Sequence, residues 1–217
     1  MLEPTSSSSS ARRGAAAKGC LVAAGVLILL GLIFGGCGVG KYNTLAAGRE
    51  NVKSKWAAID SQYKRRYDLI PNLVSTVQGA ADFEKSTLQA VTEARASVGR
   101  AQLPSDLPTD QAKLDAYIKA QQNLSGALSR MFAVAENYPQ LKATQNFLSL
   151  QDQLEGTENR IAVARTDYID AVRSYDTSIA TFPSNVIAGM FNFQPVPQLE
   201  IPVEERATPK VDFGTKK

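Results

Sequence analysis

Apolar residues recur every three or four positions along most of the chain, which is the period of an α-helix. One such stripe begins at Tyr42 and includes Trp56, and a strict heptad runs from Phe147 to Phe182. Prolines, which interrupt helix interiors, divide the region into four windows. Because short links place successive helices antiparallel, we predict an all-α fold with an up-down antiparallel four-helix bundle of long helices over residues 41–183.

The boundary between the first two helices depends on Pro71. The basic residues Lys64, Arg65 and Arg66 suit the negative end of one helix, and Asp68 suits the start of the next. We therefore place a turn near Pro71. The alternative is that this proline only kinks one long helix.

An uncharged apolar segment precedes the predicted bundle at residues 19–40. A helix needs roughly 20 apolar residues to cross a bilayer, so we predict an N-terminal transmembrane helix there. The basic residues Arg12, Arg13 and Lys18 favour a cytoplasmic N-terminus and an extracytoplasmic body, with the reverse orientation left open. Residues 1–18 are rich in Ser and Ala, and we expect them to be disordered.

Cys37 permits a second mode of anchoring. Basic residues, an apolar core and small residues before a cysteine are typical of a bacterial lipoprotein signal. Cleavage before Cys37 would leave a lipidated cysteine as the new N-terminus. The sequence therefore predicts a single-pass membrane protein, with lipidation of Cys37 as the alternative.

Composition excludes several kinds of chemistry. The 217 residues contain no His and two Cys, so the chain has no imidazole base, no His-containing metal site and no four-thiolate site. The net charge of +3 gives no global bias toward nucleic acid. We predict a protein without enzymatic activity, without a cofactor or metal, and without a nucleic-acid partner.

Polar residues interrupt the apolar stripes at similar heights when the bundle turns are placed near residues 68 and 142. They form a predicted polar layer of Arg49, Glu84, Gln121, Glu158 and Arg165. Within this layer we expect Arg49 to pair with Glu158 or with Glu84. Such layers more often fix helix register than perform catalysis, which is the interpretation we favour.

Two surfaces are predicted to make contacts outside the core. Lys64, Arg65, Arg66 and Asp68 should lie at the tip farthest from the membrane, where they form either a partner surface or a charged helix end with local ion pairs.

The second predicted surface belongs to residues 184–217, an extended aromatic and Pro-rich tail. Four antiparallel helices return the chain to the membrane end. We therefore expect Phe191 and Phe193 to contact either the bilayer interface or the base of the bundle.

Long sequence runs resemble the LemA family. They are RRYDLIPNLV at 65–74, AENYP at 135–139 and LEGTENRIAVAR at 154–165, and the resemblance covers residues 42–193. It implies a bacterial membrane-anchored helical bundle with no established enzymatic activity. It also implies connections with membrane-protein quality control beside an HtpX-like protease and, in the MamQ branch, with magnetosome membrane formation.

The strong signals in the sequence concern packing and anchoring. We therefore expect a membrane scaffold or adaptor that self-associates into a homo-oligomer and binds or regulates another membrane protein, such as a membrane protease. The alternative is a membrane-shaping protein that acts on lipid, as the resemblance to the MamQ branch suggests.

Overall fold

The computed structural model describes residues 9–79, 83–101 and 107–199, and this part of the chain forms helices and no strands. For residues 19–40 the structure describes the backbone but not most of the side chains. The helices are α1 Ser9–Gln78, α2 Lys85–Arg100, α3 Gln111–Ala135, α4 Pro139–Lys142, α5 Gln145–Ala180 and α6 Ser184–Met190.

The apolar segment and the first bundle helix are one continuous helix. α1 contains 70 residues, which at 1.5 Å per residue gives a rod of about 105 Å. It begins at Ser9, inside the segment that we expected to be disordered, and residues 1–8 lie outside the description. Ala15, Ala16 and Ala17 are strong helix formers that extend a helix already propagating from the apolar segment.

The described residues contain no helical stretch that is both long and apolar enough to cross a membrane. Since most side chains of residues 19–40 lie outside the description, the spanning segment stays a prediction.

The prediction of a turn near Pro71 is wrong, because α1 continues through this proline to Gln78. A proline inside a helix has no N–H to donate to the carbonyl four residues earlier, which here belongs to Tyr67. Arg95 of α2 supplies the missing donor, with its Nε 3.3 Å from the Tyr67 oxygen. The same guanidinium lies over the Tyr67 ring, 3.9 Å from the ring centroid. Arg95 thus provides a hydrogen bond at the point where the helix loses its own.

Arg95→Ala should lower the free energy of unfolding by about 1–2 kcal/mol, because it leaves the Tyr67 carbonyl without a donor. In a Pro71→Ala background the restored backbone N–H can bond to that carbonyl. Arg95→Ala should then cost about 1 kcal/mol less. Urea unfolding of the four members of this double-mutant cycle measures the difference. Equal costs in both backgrounds would contradict the role assigned to Arg95.

The four long helices run up, down, up and down, as the sequence predicts. α5 is antiparallel to α1, since Lys55 bonds to Asp167 at 2.8 Å and Gln62 lies farther along α1 within 3.2 Å of Arg160. α2 is also antiparallel to α1, because it begins seven residues after Gln78 and Arg95 has descended to the height of Tyr67.

α3 completes the bundle and runs parallel to α1. Trp56 and Tyr63 of α1 both contact the ring of Tyr117, while Arg66, farther along α1, contacts Gln121. Trp56 is 1% exposed and also packs on Tyr168 of α5, with ring centroids 5.6 Å apart. The aromatic centre of the core therefore joins α1, α3 and α5.

The chain after α6 packs along the bundle rather than extending away from it. The hydroxyls of Tyr168 and Tyr175 donate to the carbonyls of Pro197 and Gln194, at 3.0 and 3.3 Å. Val196 is buried, and its N–H donates to the Asp176 carboxylate at 3.2 Å. The predicted extended tail is therefore part of the folded body as far as residue 199. Residues 200–217 lie outside the description.

Asp176→Ala should lower the free energy of unfolding by about 1 kcal/mol, because it removes acceptors for the Val196 N–H and for the Gln198 side chain. Protease cleavage near residue 195 should become faster. Ser174→Ala, an exposed change on the same helix, is the matched control. An unchanged cleavage rate in Asp176→Ala would argue against a firmly docked segment.

Candidate functional site

A buried arginine joins three helices at mid-height in the bundle. Arg66 lies on α1 one turn after Tyr63, and its side chain is 2% exposed. Gln121 and Ser125 face it from successive turns of α3, and Glu158 faces it from α5. We refer to Arg66, Gln121, Ser125 and Glu158 as the arginine cluster.

Both terminal nitrogens of the Arg66 guanidinium donate within the arginine cluster, whereas its Nε has no hydrogen-bond partner in the described part of the chain. Nη1 of Arg66 donates to Ser125 Oγ at 2.6 Å and to Glu158 Oε2 at 2.5 Å. Nη2 donates to the backbone carbonyl of Gln121 at 3.2 Å and also to its side-chain oxygen. Ser125 donates to the other Glu158 oxygen at 3.1 Å. Because the members bond to one another, the cluster fixes the register of α1, α3 and α5.

A groove opens beside the arginine cluster. It has a volume of about 370 Å³, and its floor includes the apolar side chains of Leu128, Phe132 and Leu154. Two carboxylates, Glu155 and Glu158, lie on its α5 side. Glu158 is half exposed, so the ion pair with Arg66 lies at the boundary between core and solvent.

The predicted polar layer is only partly assembled. Gln121 and Glu158 come together, but the arginine between them is Arg66 rather than Arg49. Arg49 is exposed and lies close to Tyr175, near the opposite end of α5. The expected pairing of Arg49 with Glu158 is therefore wrong. The reason is register, since α1 extends past Pro71 and each of its residues lies farther from the distal end than expected.

The other two members of the predicted layer lie elsewhere. Glu84 is exposed at the start of α2, where its carboxylate accepts from the hydroxyls of Ser86 and Thr87 at 2.6 and 3.2 Å. Its pairing with Arg49 is not found among the described contacts. Arg165 is half buried on α5, and its Nε has no hydrogen-bond partner within the described part of the chain.

Only part of the predicted distal surface is exposed to solvent. Lys64 and Asp68 are exposed and lie 3.7 Å apart in a helical i,i+4 pair, and Arg65 is exposed beside them. Arg66 points into the core, so it cannot belong to a partner surface. Since α1 ends at Gln78, this surface lies about three turns before the helix end and not at the tip.

Phe191 and Phe193 dock on α1. Their rings lie 4.8 and 5.5 Å from the ring of Tyr42, in edge-to-face geometry. Phe193 packs against the core, while Phe191 remains 55% exposed. Of the two expected contacts, the structure has the one with the base of the bundle. Contact with a bilayer stays a prediction.

Cys37 is an exposed free thiol within α1, and its lipidation stays a prediction. Across residues 9–79, 83–101 and 107–199, no group of three or more Cys, Asp and Glu side chains is placed to hold a metal ion.

Sequence reasoning missed the central role of Arg66, although a signal was present. Arg66 follows Tyr63 by three residues and precedes Ile70 by four, so it occupies the apolar stripe of α1. A charged residue on such a stripe, with buried neighbours on both sides, indicates a buried ion pair. Arg49 occupies the same stripe, which is why the stripe by itself did not distinguish the two.

These features define a class of protein, an all-helical bundle held in register by a buried arginine and its partners on two other helices. The sequence pattern of the LemA family matches residues 55–213, and the chain belongs to the LemA family. This match starts later than the resemblance described above and continues beyond Phe193 to residue 213.

Named relatives are similar over most of this chain. The protein LemA of Metamycoplasma hominis is 25% identical over 151 residues, which cover 69% of this chain and 64% of the relative. Magnetosome protein MamQ 2 of Paramagnetospirillum magneticum is 27% identical over 170 residues, covering 71% and 62%. Magnetosome protein MamQ of Magnetospirillum gryphiswaldense is 24% identical over 172 residues, covering 72% and 63%. The chain thus spans less than two thirds of the length of these relatives.

Proposed function

We propose that this protein is a non-enzymatic, membrane-anchored scaffold that self-associates and binds or regulates another membrane protein. The observation that carries the proposal is the continuity of α1, which contains both the apolar segment at residues 19–40 and the core stripe of the bundle. A helix without a flexible joint would hold the bundle at a fixed position relative to the bilayer. Such a geometry suits presentation of a surface to a membrane partner.

The arginine cluster supports a structural role for the body. Its polar side chains bond mainly to one another, so they contribute to helix register rather than to a reacting group. The exposed charged residues on α1, Lys64, Arg65 and Asp68, are then the proposed partner surface. A membrane protease similar to HtpX is the kind of partner that the family resemblance suggests.

Crosslinking in intact cells followed by purification in mild detergent tests this proposal. We expect crosslinks between copies and crosslinks from the bundle to a second membrane protein. Recovery of the monomer alone, in several detergents, would overturn the scaffold function. Protease accessibility of the bundle in the same cells reports its side of the membrane, which we propose is extracytoplasmic.

A matched pair of variants tests the partner surface separately. Arg65→Glu should reduce crosslinks to the second membrane protein, because it reverses a charge beside Lys64. Arg49→Glu reverses an equally exposed charge near Tyr175 and should leave those crosslinks unchanged. If Arg65→Glu and Arg49→Glu crosslinked equally to the second membrane protein, the partner would bind another face of the bundle.

A second candidate function is membrane shaping or organisation by direct action on lipid. It is favoured by the exposed aromatic and apolar side chains at the α6 end, among them Phe182, Met190 and Phe191. Two relatives are also named as magnetosome proteins. This function predicts that the purified protein deforms liposomes unaided, whereas the scaffold function predicts unchanged liposomes in the absence of a partner.

A further inference from the structure

Exposed apolar side chains are concentrated at one end of the molecule. Among the described residues, ten large apolar side chains are exposed, and eight of them lie on the early part of α1 or around α6. These eight are Leu29, Leu32, Val39, Tyr42, Phe182, Val186, Met190 and Phe191. Patches of this kind on a protein surface mark contacts with another protein or with a membrane.

The patch contains a groove between α1 and α6 with a volume of about 480 Å³. Its α1 wall includes Gly35 and Gly38, whose missing side chains leave room, and its α6 wall includes Ile187 and Met190. Every residue that lines the groove is apolar, aromatic or glycine. The groove therefore offers van der Waals contact to a hydrocarbon chain and few hydrogen bonds to a polar ligand.

α6 packs on α1 beside the end of the predicted spanning segment. α6 rests on α1 at Gly38, where an added Cβ would lie 3.7 Å from Cδ1 of Ile187. Gly38 lies within residues 19–40, two residues before their end, or about 3 Å along the helix axis. If this segment spans the bilayer, α6 is carried into the interfacial layer by its packing on the same helix.

The orientation of α6 fits this position. Ser184 and Ala188 are buried against the bundle, whereas Val186 and Met190, one turn apart, are 53% and 72% exposed. Phe182, just before α6, is 82% exposed. A short helix with an apolar outer face and aromatic residues at its ends is the arrangement that lies in a membrane interface.

We propose that α6 and the facing turns of α1 form a second, interfacial membrane contact, in which a lipid acyl chain occupies the groove. The proposal rests on the proposed membrane anchoring by α1. It adds a lipid-binding surface to which α6, outside the predicted spanning segment, contributes one wall. Through Phe191 and Phe193, which pack on Tyr42, this surface is connected to the base of the bundle.

Depth-dependent quenching in vesicles tests the lipid contact. The full chain, with Cys20→Ser and Cys37→Ser, would carry a single environment-sensitive label at Val186→Cys or Met190→Cys. It would be reconstituted into phosphatidylcholine and phosphatidylglycerol vesicles with brominated acyl chains. Since interfacial helices insert about 5–10 Å, we expect labels at both positions to lose most of their fluorescence to shallow bromines.

Two labelled controls distinguish failure of this inference from failure of the proposed function. Val163→Cys is the matched control, because Val163 is also apolar, is 64% exposed and lies near the middle of α5, away from α6. Its label should remain unquenched. Leu29→Cys reports the predicted spanning segment and should be quenched by deep bromines.

Each outcome has a defined meaning. Quenching at Leu29→Cys without quenching at Val186→Cys and Met190→Cys overturns the interfacial contact and leaves the anchoring intact. Protein that does not float with vesicles overturns both. Disulfide formation between copies through Met190→Cys, with no quenching there, assigns the patch to a second copy and also overturns the lipid contact.

Discussion

Arg66→Ala should lower the free energy of unfolding by about 3 kcal/mol, which corresponds to a fall in melting temperature of about 6–12 °C for a body of this size. The change removes the donors that satisfy Gln121, Ser125 and one oxygen of Glu158. Glu158 is half exposed and can rehydrate, whereas Gln121 is 3% exposed and cannot. The cost therefore comes mainly from buried acceptors and from the space left by a long side chain. Urea unfolding of the detergent-solubilised chain, followed by circular dichroism, measures it.

Two further variants show whether the loss of stability in Arg66→Ala comes from the buried position of the side chain or from its charge. Arg49→Ala removes the same side chain from an exposed site on the same helix, and it should change stability by less than about 0.5 kcal/mol. Arg66→Lys keeps the charge but loses the planar fork that reaches α3 and α5 together, so its cost should be intermediate. If Arg49→Ala were as destabilising as Arg66→Ala, the arginine cluster would not hold the three helices in register.

The apolar period predicted the bundle because each helix must bury its own stripe. Trp56 and Phe147 occupy predicted stripes, and both are buried. The position of the first helix end was not predictable by the same means. A proline normally ends a helix, but at Pro71 the missing donor is replaced by Arg95, a residue of the next helix. The apolar stripe can be read from the spacing of nearby residues. The replacement donor depends on how α2 packs against α1, which the spacing does not show.

The position of the end of α1 also determines which arginine lies opposite Glu158. Alignment of residue 68 with residue 142 would place Glu158 opposite residue 52, close to Arg49. In the structure Glu158 lies opposite Arg66, which is a displacement of about 20 Å along α1. The candidate polar residues were therefore recognisable from sequence, but their pairing required the helix register.

The docked segment after α6 had no periodic signal. Residues 193–199 form neither helix nor strand, and two of them, Val196 and Leu199, are buried. The carbonyls of Pro197 and Gln194 accept hydrogen bonds from Tyr168 and Tyr175, which the heptad of α5 assigns only to the core. A tyrosine can fill a core position with its ring while its hydroxyl holds a second segment, and the apolar pattern does not separate these roles.

Raising the pH from 10 to 12 should destabilise the bundle by about 2 kcal/mol through Tyr117 alone. Burial, helped by the negative charge of Asp60, raises the pKa of Tyr117 to about 12. In the unfolded chain the phenol titrates near its ordinary value of about 10. Below pH 10 both states keep the proton and the stability is complete. Above pH 10 the unfolded state loses the proton first, so stability falls until the folded state also titrates near pH 12.

Tyr168 and Tyr175 should steepen this loss, because burial raises the pKa of each hydroxyl. Asp176 also raises the pKa of both, and at Tyr175 the charge of Arg49 opposes it. Urea unfolding at a series of pH values, combined with the absorbance of tyrosinate, separates titration from unfolding. Tyr117→Phe should reduce the pH dependence, since one linked proton is removed. Complete titration of all tyrosines at their ordinary pKa, with the helical circular dichroism retained, would show that these hydroxyls are accessible in the folded bundle. It would contradict the enclosed aromatic core from which the prediction follows.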